Sequence, residues 1–447
     1  MAEYTDRSRF IPYRKAELIE FLCEDGALDA AQCEKFRNFT KVLESLYHFE
    51  FHKKLELMKN SYFPFNPDRD TKTKRVYDAA ALSQHEAVLM ADLTHVLNGA
   101  NYEAITDAEV EHALREESLF WISLFVDFND FSRVVLFRRG DVVKEAEVEH
   151  WFFRKKKVPV PTFERVVILV RFKNREYFEA KRKKTKQNPV KLPFEPGSVA
   201  MKLFKDVPKA DLEMLFPNTE TRMKPRDWAL LLTPGLLGGV MVLVKGAVSL
   251  ALAATLIWSL MKTKLNAGGA PVVYAHFSPE QGAALAAAAM AIFGIASFMG
   301  RQWMKFKNRK IFFMKTLADN LYFKNLGNNE GVLHHLIDSA EEEECKEALL
   351  AYYFLLTNPQ GLTRIQLDDT IETWLEKNHD VKVDFEIHDG LGKLCTLGLA
   401  SPGGTTHSDA AVWRVLGLDE SCRRVDEIWD NLFTYNKNNN EGGSQGA

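Results

Sequence analysis

Apolar residues repeat at helical spacing through the first part of the chain. Between Arg14 and Asn60 they recur every three or four positions, with charged residues between them and no strand-like run. This spacing predicts amphipathic helices with one buried face, and it makes residues 1–118 a mostly helical N-terminal domain. The apolar positions that define the pattern are Leu18, Ile19, Leu22, Phe36, Phe39, Leu43 and Leu46.

The hydrophobic period changes after about residue 119. Residues 121–126, 134–137 and 165–172 are rich in β-branched and aromatic side chains and end at turn signals, which predicts a small mixed β domain over 119–225. Two basic runs fall in its predicted connections. They fit contacts to anionic lipid, contacts to nucleic-acid phosphate, or plain solvated loops. The runs are Arg154, Lys155, Lys156 and Lys157, and Lys181, Arg182, Lys183 and Lys184.

The longest apolar run covers residues 228–261, and Lys245 is its only charge. Its length predicts a membrane span over about 240–261, with Lys245 near the lipid headgroups. A second, alanine-rich span over 281–299 follows the helix-start signal Ser278-Pro279. Residues 228–300 are therefore predicted to form a transmembrane hairpin. Two half-helices meeting at Lys245, or a helical hairpin buried in a water-soluble core, are the alternatives.

The basic residues that flank the predicted hairpin outnumber those in its short connecting loop. By the positive-inside rule this places the other domains on the cytoplasmic or matrix face. The first twenty residues carry charges throughout and do not have the pattern of a secretory signal or a transit peptide. A bacterial inner membrane is the expected location, with the mitochondrial inner membrane as the alternative.

The C-terminal part has the pattern of three helices followed by a hairpin. Helices are predicted over 343–356, 362–377 and 385–397 and strands over 399–401 and 411–415, which makes residues 311–435 a winged-helix-like domain. The four glutamates 341–344 are interpreted as capping the first helix. The low-complexity tail 436–447 is predicted to be disordered. Altogether the fold class is α+β.

The acidic residues of the third helix argue against DNA recognition, because a recognition helix that meets phosphate needs basic or amide side chains. A protein partner is the better expectation for this face, and nucleic acid an unlikely one. The residues proposed to bind the partner are Asp384, Glu386 and Asp389.

Composition adds few constraints on function. The chain has 58 basic and 61 acidic residues, so its net charge indicates no particular partner. Its five cysteines are scattered without metal-ligand spacing, which fits a reducing compartment. No recognised nucleotide-binding, metalloprotease or hydrolase motif occurs, and we predict no catalytic residue, cofactor or metal. Asp127 and Asp130 fit an acid–base pair, although capping of a turn is commoner.

Four phrases resemble a family of unknown function that includes vertebrate transmembrane protein 143. They are RFIP at 9–12, YFPFNPDRD at 62–70, DFNDFSRVVLFRRG at 127–140 and KLFKDVPKADLEMLFPN at 202–218. The resemblance also covers the predicted hairpin and YFKNL at 322–326, and it extends over about residues 9–420. It implies a membrane protein, mitochondrial in animals and in the cell membrane of bacteria, and it implies no reaction.

These observations lead to three functional hypotheses. The first is a membrane-anchored scaffold or adaptor whose other domains bind a cytoplasmic protein beside the bilayer. The second is an oligomeric transport or channel component that uses Lys245 and the broken helix before it. The third is an enzyme that acts on lipid headgroups, with Asp127 and the basic runs at the surface.

Overall fold

The computed structural model describes residues 7–106, 108–110, 123–150, 154–185, 192, 194–222, 279–403 and 411–433, with the backbone alone in parts of some helices and strands. The chain divides into two units. The first consists of Met1–Glu116, Phe128–Leu212 and Phe323–Ala447, and the second of Glu117–Asp127 and Glu213–Tyr322. The predicted disordered tail 436–447 lies outside the described residues.

The first unit begins with the helices that the sequence predicts. These are α1 (Lys15–Glu24), α2 (Ala30–Tyr62) and α3 (Ala79–Gly99). Asp29 starts α2 with a reciprocal capping box to Gln32, which satisfies backbone N–H groups that have no partner within the helix. All seven apolar positions named above are buried, so the predicted core face of these helices is confirmed.

A five-stranded sheet follows in the same unit. Its strands are β1 (Glu103–Ala104), β3 (Phe131–His150), β4 (Arg154–Phe172), β5 (Val199–Pro208) and β7 (Asn325–Asn328), paired antiparallel in the order β1-β3-β4-β5-β7. Helix α4 (Arg175–Thr185) lies between β4 and β5 in the chain, and a 3-10 helix covers Lys209–Leu215.

The two basic runs lie in regular structure, and the prediction that they form loops is wrong. Residues 154–157 begin β4, and residues 181–184 lie within α4. In the backbone register of the strand pair, Lys157 lies opposite Glu147 and Lys155 opposite Glu149.

Helix α6 (Glu330–Leu356) passes through the core of the first unit, and it packs against α2 and α3. After it come β8 (Leu362–Thr363), α7 (Arg364–His379), α8 (Ile387–Thr396), β9 (Ala400–Gly403), β10 (Val412–Val415) and α9 (Leu418–Asp430). The strands pair in the order β8-β10-β9. These elements form the C-terminal part of the first unit, and its assignment as winged-helix-like stays a prediction.

The glutamates 341–344 do not cap a helix, so that prediction is wrong. Helix α6 begins at Glu330, and the four residues lie in its middle. The apolar residues Val332, Leu333, Leu336 and Ile337 continue the helical pattern back to residue 330 and are all buried. One of the glutamates, Glu343, is only 1% exposed.

The described part of the second unit contains a two-stranded antiparallel sheet of β2 (Ser123–Phe125) and β6 (Glu220–Arg222). It also contains most of helix α5, which covers Pro279–Lys324. Within this unit the side-chain amide of Asn218 donates to the backbone carbonyl of Asp127 over 2.8 Å.

Among the residues that the structure describes, no helix is both long enough and apolar enough to cross a lipid bilayer. On this finding the predicted two-helix transmembrane hairpin is wrong. So is the assignment as an integral protein of the bacterial or mitochondrial inner membrane. The first predicted span, 240–261 with Lys245, and the broken lead-in 233–239 lie outside the described residues.

The second predicted span is the start of α5, and its physical character explains the error. Residues 281–299 are rich in alanine, which has the highest helix propensity of all residues in any surroundings. The 46-residue helix continues through the exposed Arg301, Lys305 and Lys307.

Candidate functional site

An extended N-terminal segment, residues 7–11, lies along the connection between α7 and α8. Ser8 and Val383 form a parallel β-bridge. The backbone N–H of Ser8 donates to Lys382 O over 3.3 Å, and the N–H of Asp384 donates to Ser8 O over 3.1 Å. The segment is therefore held in the way that a short added strand is held.

Two arginines of this segment bind carboxylates of the C-terminal part, on α7 and on the connection to α8. Arg7 Nη1 lies 2.5 Å from Glu372 Oε2, and its Nη2 lies 3.3 Å from Glu376 Oε2. Arg9 Nη1 lies 2.9 Å from Glu386 Oε1, and its Nε lies 3.8 Å from Asp384 Oδ2. Four carboxylates of this part thus face the two guanidinium groups, and Arg9 Nε also lies 3.9 Å from Glu103 Oε1 of β1.

We call this region the acidic surface, and it carries more negative charge than the two arginines balance. Burial, with repulsion from Glu372 and Asp384, raises the pKa of Asp368 to about 7. Burial also raises the pKa of Glu372 and Glu386, against the lowering effect of the arginines. The acidic surface consists of Asp368, Asp369, Glu372, Glu376, Asp384, Glu386 and Asp389.

One carboxylate oxygen of the acidic surface has no partner. Asp368 Oδ1 is buried, and among the described residues nothing donates a hydrogen bond to it. A buried acceptor without a donor is costly for the charged carboxylate, in keeping with the raised pKa of Asp368.

Beneath the N-terminal segment lies a buried ionic cluster on α6. Lys346 and Glu343 are 2% and 1% exposed, and Lys346 Nζ donates to Glu343 Oε1 over 2.9 Å. Lys346 also donates to Ile11 O over 3.0 Å, while the N–H of Ile11 donates to Glu343 Oε2 over 3.1 Å. Both backbone groups of Ile11 are thereby bound by a charged side chain, which fixes the position of the segment.

A second buried carboxylate of the cluster connects α6 to α8. Glu347 Oε2 accepts from Lys393 Nζ over 2.7 Å, and its Oε1 accepts from the amide of Asn101 over 3.2 Å. Burial raises the pKa of Glu347 to about 7, and Lys393 opposes that rise. Helix α8 approaches closely here, because a Cβ atom on Gly390 would lie 3.0 Å from Glu347 O.

The structure brings two of the three predicted partner-binding residues together. Asp384 and Glu386 both contact Arg9 and remain 32% and 30% exposed, while Asp389 is exposed on α8. No observation tests their binding to a partner, which stays a prediction. The sequence predicted the acidic character of Asp368 and Glu372 on the preceding helix, but it gave no role to Arg7 and Arg9, although the alternation of charge in Arg7-Ser8-Arg9 is a usable signal for an extended segment.

Of the residues predicted to contact lipid, the structure describes the side chains of Lys181, Arg182 and Lys183. Lys181 pairs with the buried Asp130 of the first unit, and Arg182 and Lys183 are exposed. The side chains of Lys184 and of residues 154–157 lie outside the described part. Within the described ranges no group of His, Cys, Asp and Glu has an arrangement that could hold a metal ion.

These features describe an α+β protein whose N-terminal segment is bound by an acidic C-terminal part. Residues 163–331 match a family model described as a protein of unknown function, DUF3754. The match covers less than half of the chain, and it supports neither transmembrane protein 143 as a relative nor membrane association. No solved structure matches the chain.

Proposed function

We propose that this protein is an interaction scaffold that binds a basic segment of a partner protein at the acidic surface. The observation that supports the proposal is the binding of Arg7 and Arg9 by four carboxylates of that surface. Bound arginines within the chain indicate which chemistry the surface accepts: guanidinium or ammonium groups on an extended backbone.

Part of the acidic surface remains accessible while the N-terminal segment is bound. Asp369 and Asp389 are exposed, and Asp384 and Glu386 are about one-third exposed. The carboxylates of the acidic surface outnumber the bound arginines. A partner cation therefore gains attraction here, and basic residues near an acidic patch also associate faster at low salt.

The partner protein is tested by crosslinking from the exposed end of the acidic surface. A photoreactive amino acid replaces Asp389 in the full-length protein, and crosslinked peptides are identified by mass spectrometry. We expect a reproducible protein adduct whose crosslinked peptide contains several arginines or lysines.

A matched pair of variants shows whether charge is the cause. The Asp369→Asn, Asp384→Asn and Glu386→Gln triple variant is expected to lose most of the adduct. The control replaces the exposed Glu17, Glu24 and Glu34 by glutamine, the same change in net charge away from the surface. A nucleic-acid adduct, an adduct without basic peptides, or equal loss in both variants would contradict the proposal.

The wider relationship to the family of transmembrane protein 143 is a separate proposal. It rests on the phrases at 9–12, 62–70, 127–140 and 202–218. The first of these contains Arg9, so a relative with the same phrase is expected to bind its own N-terminal segment as this chain does.

A further inference from the structure

The N-terminal segment is bound at two different depths. Its inner end is fixed in the core of the first unit, since Ile11 is fully buried and its backbone binds Glu343 and Lys346. The carbonyl of Arg9 accepts a hydrogen bond from the buried side-chain amide of Asn101 over 3.1 Å. Release of this inner end would remove partners from buried charges, which is costly. The inner end therefore stays bound while the protein is folded.

The outer end of the segment consists of Arg7, Ser8 and the side chain of Arg9, and it lies at the surface. All three side chains are exposed or partly exposed, so none of them belongs to the apolar core. The outer end is held by its ion pairs, by the β-bridge to Val383 and by a 3.3 Å hydrogen bond from Arg7 Nη1 to Val383 O. Ion pairs and hydrogen bonds that water can replace contribute little to stability. The outer end is therefore able to leave while the inner end stays bound.

The surface under the outer end keeps hydrogen bonds of its own when that end leaves. Glu372 is the one buried carboxylate of the acidic surface, and its Oε1 accepts from the backbone N–H of Phe385 over 3.0 Å. Release of Ser8 makes the carbonyl of Lys382 and the N–H of Asp384 available to another extended chain. Backbone groups along such an edge bind an added strand.

The charges of the acidic surface favour a basic replacement for the outer end. Even with Arg7 and Arg9 bound, burial and repulsion from neighbouring carboxylates raise the pKa of Asp368. Loss of the two guanidinium groups increases the repulsion among these carboxylates, because like charges then face one another without a cation between them. The vacated surface therefore attracts cations placed at the spacing of the two arginines.

We propose that the outer end occupies the binding site of the partner, and that the partner displaces it with an extended segment of the pattern basic, any residue, basic. The two basic side chains of the partner take the positions of Arg7 and Arg9, and the residue between them bridges to Val383 in place of Ser8. The exposed Asp389 makes the first contact, before the exchange. This inference rests on the proposed function, because it specifies the partner and the regulation of the same acidic surface.

The test measures peptide binding by the full-length protein. The probe is the peptide Gly-Gly-Arg-Ser-Arg-Gly-Gly with a neutral fluorescent label, and its anisotropy is followed at low salt. A site that its own segment occupies for about nine-tenths of the time has an apparent affinity about tenfold lower than the vacant site. The double variant Arg7→Gln with Arg9→Gln is therefore expected to bind the probe about tenfold more tightly than the parent protein.

A second variant releases the outer end without changing its charge. Ser8→Pro removes the N–H that donates to Lys382 O, and so it breaks the β-bridge. We expect it also to bind the probe more tightly than the parent. A probe with glutamine in place of both arginines should bind to neither variant. Unchanged thermal unfolding verifies that each variant folds.

The matched control is Lys35→Gln with Arg37→Gln. These two residues pair with Asp419 and Glu20, which are not part of the acidic surface. The control makes the same change in net charge as the double variant but leaves the outer end bound. Its affinity for the probe should equal that of the parent.

The outcomes separate this inference from the proposed function. Equal affinity of the parent and both releasing variants would overturn the inference and leave the proposed function standing. Tighter binding by the control would also overturn it, because net charge would then be the cause. No binding by the parent or by either variant would contradict the proposed function as well. A dimer of the parent that the double variant does not form, detected by sedimentation, would show that a second copy of the chain is the occupant, and would overturn the inference.

Discussion

The buried ionic cluster of α6 and the acidic surface of α7 and α8 both hold the N-terminal segment, but in opposite environments. In the cluster, Glu343 and Lys346 are almost fully buried and bind the backbone of Ile11. On the acidic surface, Arg9 is 45% exposed and binds by its side chain. Pairs of carboxylates and basic side chains therefore bind the backbone of the segment in the cluster and its side chains on the acidic surface.

This difference between the two regions follows from the free-energy cost of burying a charge. A buried charge is tolerated only when it is paired and hydrogen-bonded, and Lys346 accordingly has partners in both Glu343 and Ile11. The exposed or partly exposed carboxylates of the acidic surface carry no such requirement, because water screens them; these are Asp369, Asp384, Glu386 and Asp389. The cluster therefore fixes the structure, while the surface retains unused capacity for binding.

The largest expected effect comes from breaking the buried pair. Lys346→Ala leaves Glu343 charged, buried and without its ammonium partner, and it should destabilise the fold by about 3–5 kcal/mol. Chemical denaturation of the variant and the parent protein measures the difference. A loss below about 1 kcal/mol would mean that the cluster is hydrated or readily repacked.

A change of pH should act on the cluster next. The pKa of Glu347 in the folded protein is about 7, above its ordinary 4.5, so the folded state binds this proton more tightly than the unfolded state does. The resulting stability is complete below about pH 4.5 and is lost as the pH rises through 7. We expect a loss of about 2 kcal/mol between pH 5 and pH 8.

The Glu347→Gln variant separates this contribution from others, because its amide stays neutral at every pH. Its stability should fall less steeply between pH 5 and pH 8 than that of the parent. Asp368, whose pKa is also about 7, acts in the same direction, so Asp368→Asn serves as the comparison. An unchanged slope in Glu347→Gln would show that this carboxyl is not the source.

A smaller effect is expected from crowding the contact between α8 and α6. The Gly390→Ala substitution places a methyl group 3.0 Å from Glu347 O, in a part of the core where the backbone has little room to shift. We expect a loss of about 1–2 kcal/mol. Thermal unfolding of Gly390→Ala is compared with that of Gly392→Ala, since Gly392 on the same helix has open space around it. Equal losses would exclude the close contact as the cause.

The smallest effect on stability is expected from the exposed ion pairs of the acidic surface. Arg9→Gln removes the partly exposed ion pairs with Glu386 and Asp384, which should cost about 0.2–1 kcal/mol and become undetectable at high salt. Denaturation at low and high salt measures it. A loss of stability similar to that of Lys346→Ala would show that the ion pairs of the acidic surface contribute as much as the buried cluster does.

Local patterns predicted much of the α+β fold. The helical spacing of Phe36, Phe39 and Leu43 identified buried positions, and all three are at most 1% exposed. The helices α7 and α8 and the strands β9 and β10 lie within a few residues of their predicted bounds. These elements are specified by side chains that are neighbours in sequence, which a periodic pattern records.

The errors arose where distant residues decide the outcome. Glu343 was predicted to cap a helix, but in the structure it accepts hydrogen bonds from Ile11 and Asn101. Both partners are far from it in sequence, so the local pattern could not indicate them. The alanine-rich residues 281–299 were predicted to span a membrane because hydropathy depends on amino-acid composition alone. It contains no information on the environment in which a helix lies. Similarly, Asp384 and Glu386 were identified as binding residues, but Arg9 could not be assigned to them without the fold.

The β-bridge between Ser8 and Val383 has a consequence for the order of folding during synthesis. Helices α1 and α2 leave the ribosome early, yet Phe36 packs on Tyr353 of α6 with ring centroids 5.8 Å apart. The core between these helices and α6 cannot form until more than half of the chain has been synthesised. Contacts between residues so distant in sequence form slowly. We therefore expect the nascent chain to expose aromatic side chains and to depend on chaperones until the C-terminal part has emerged.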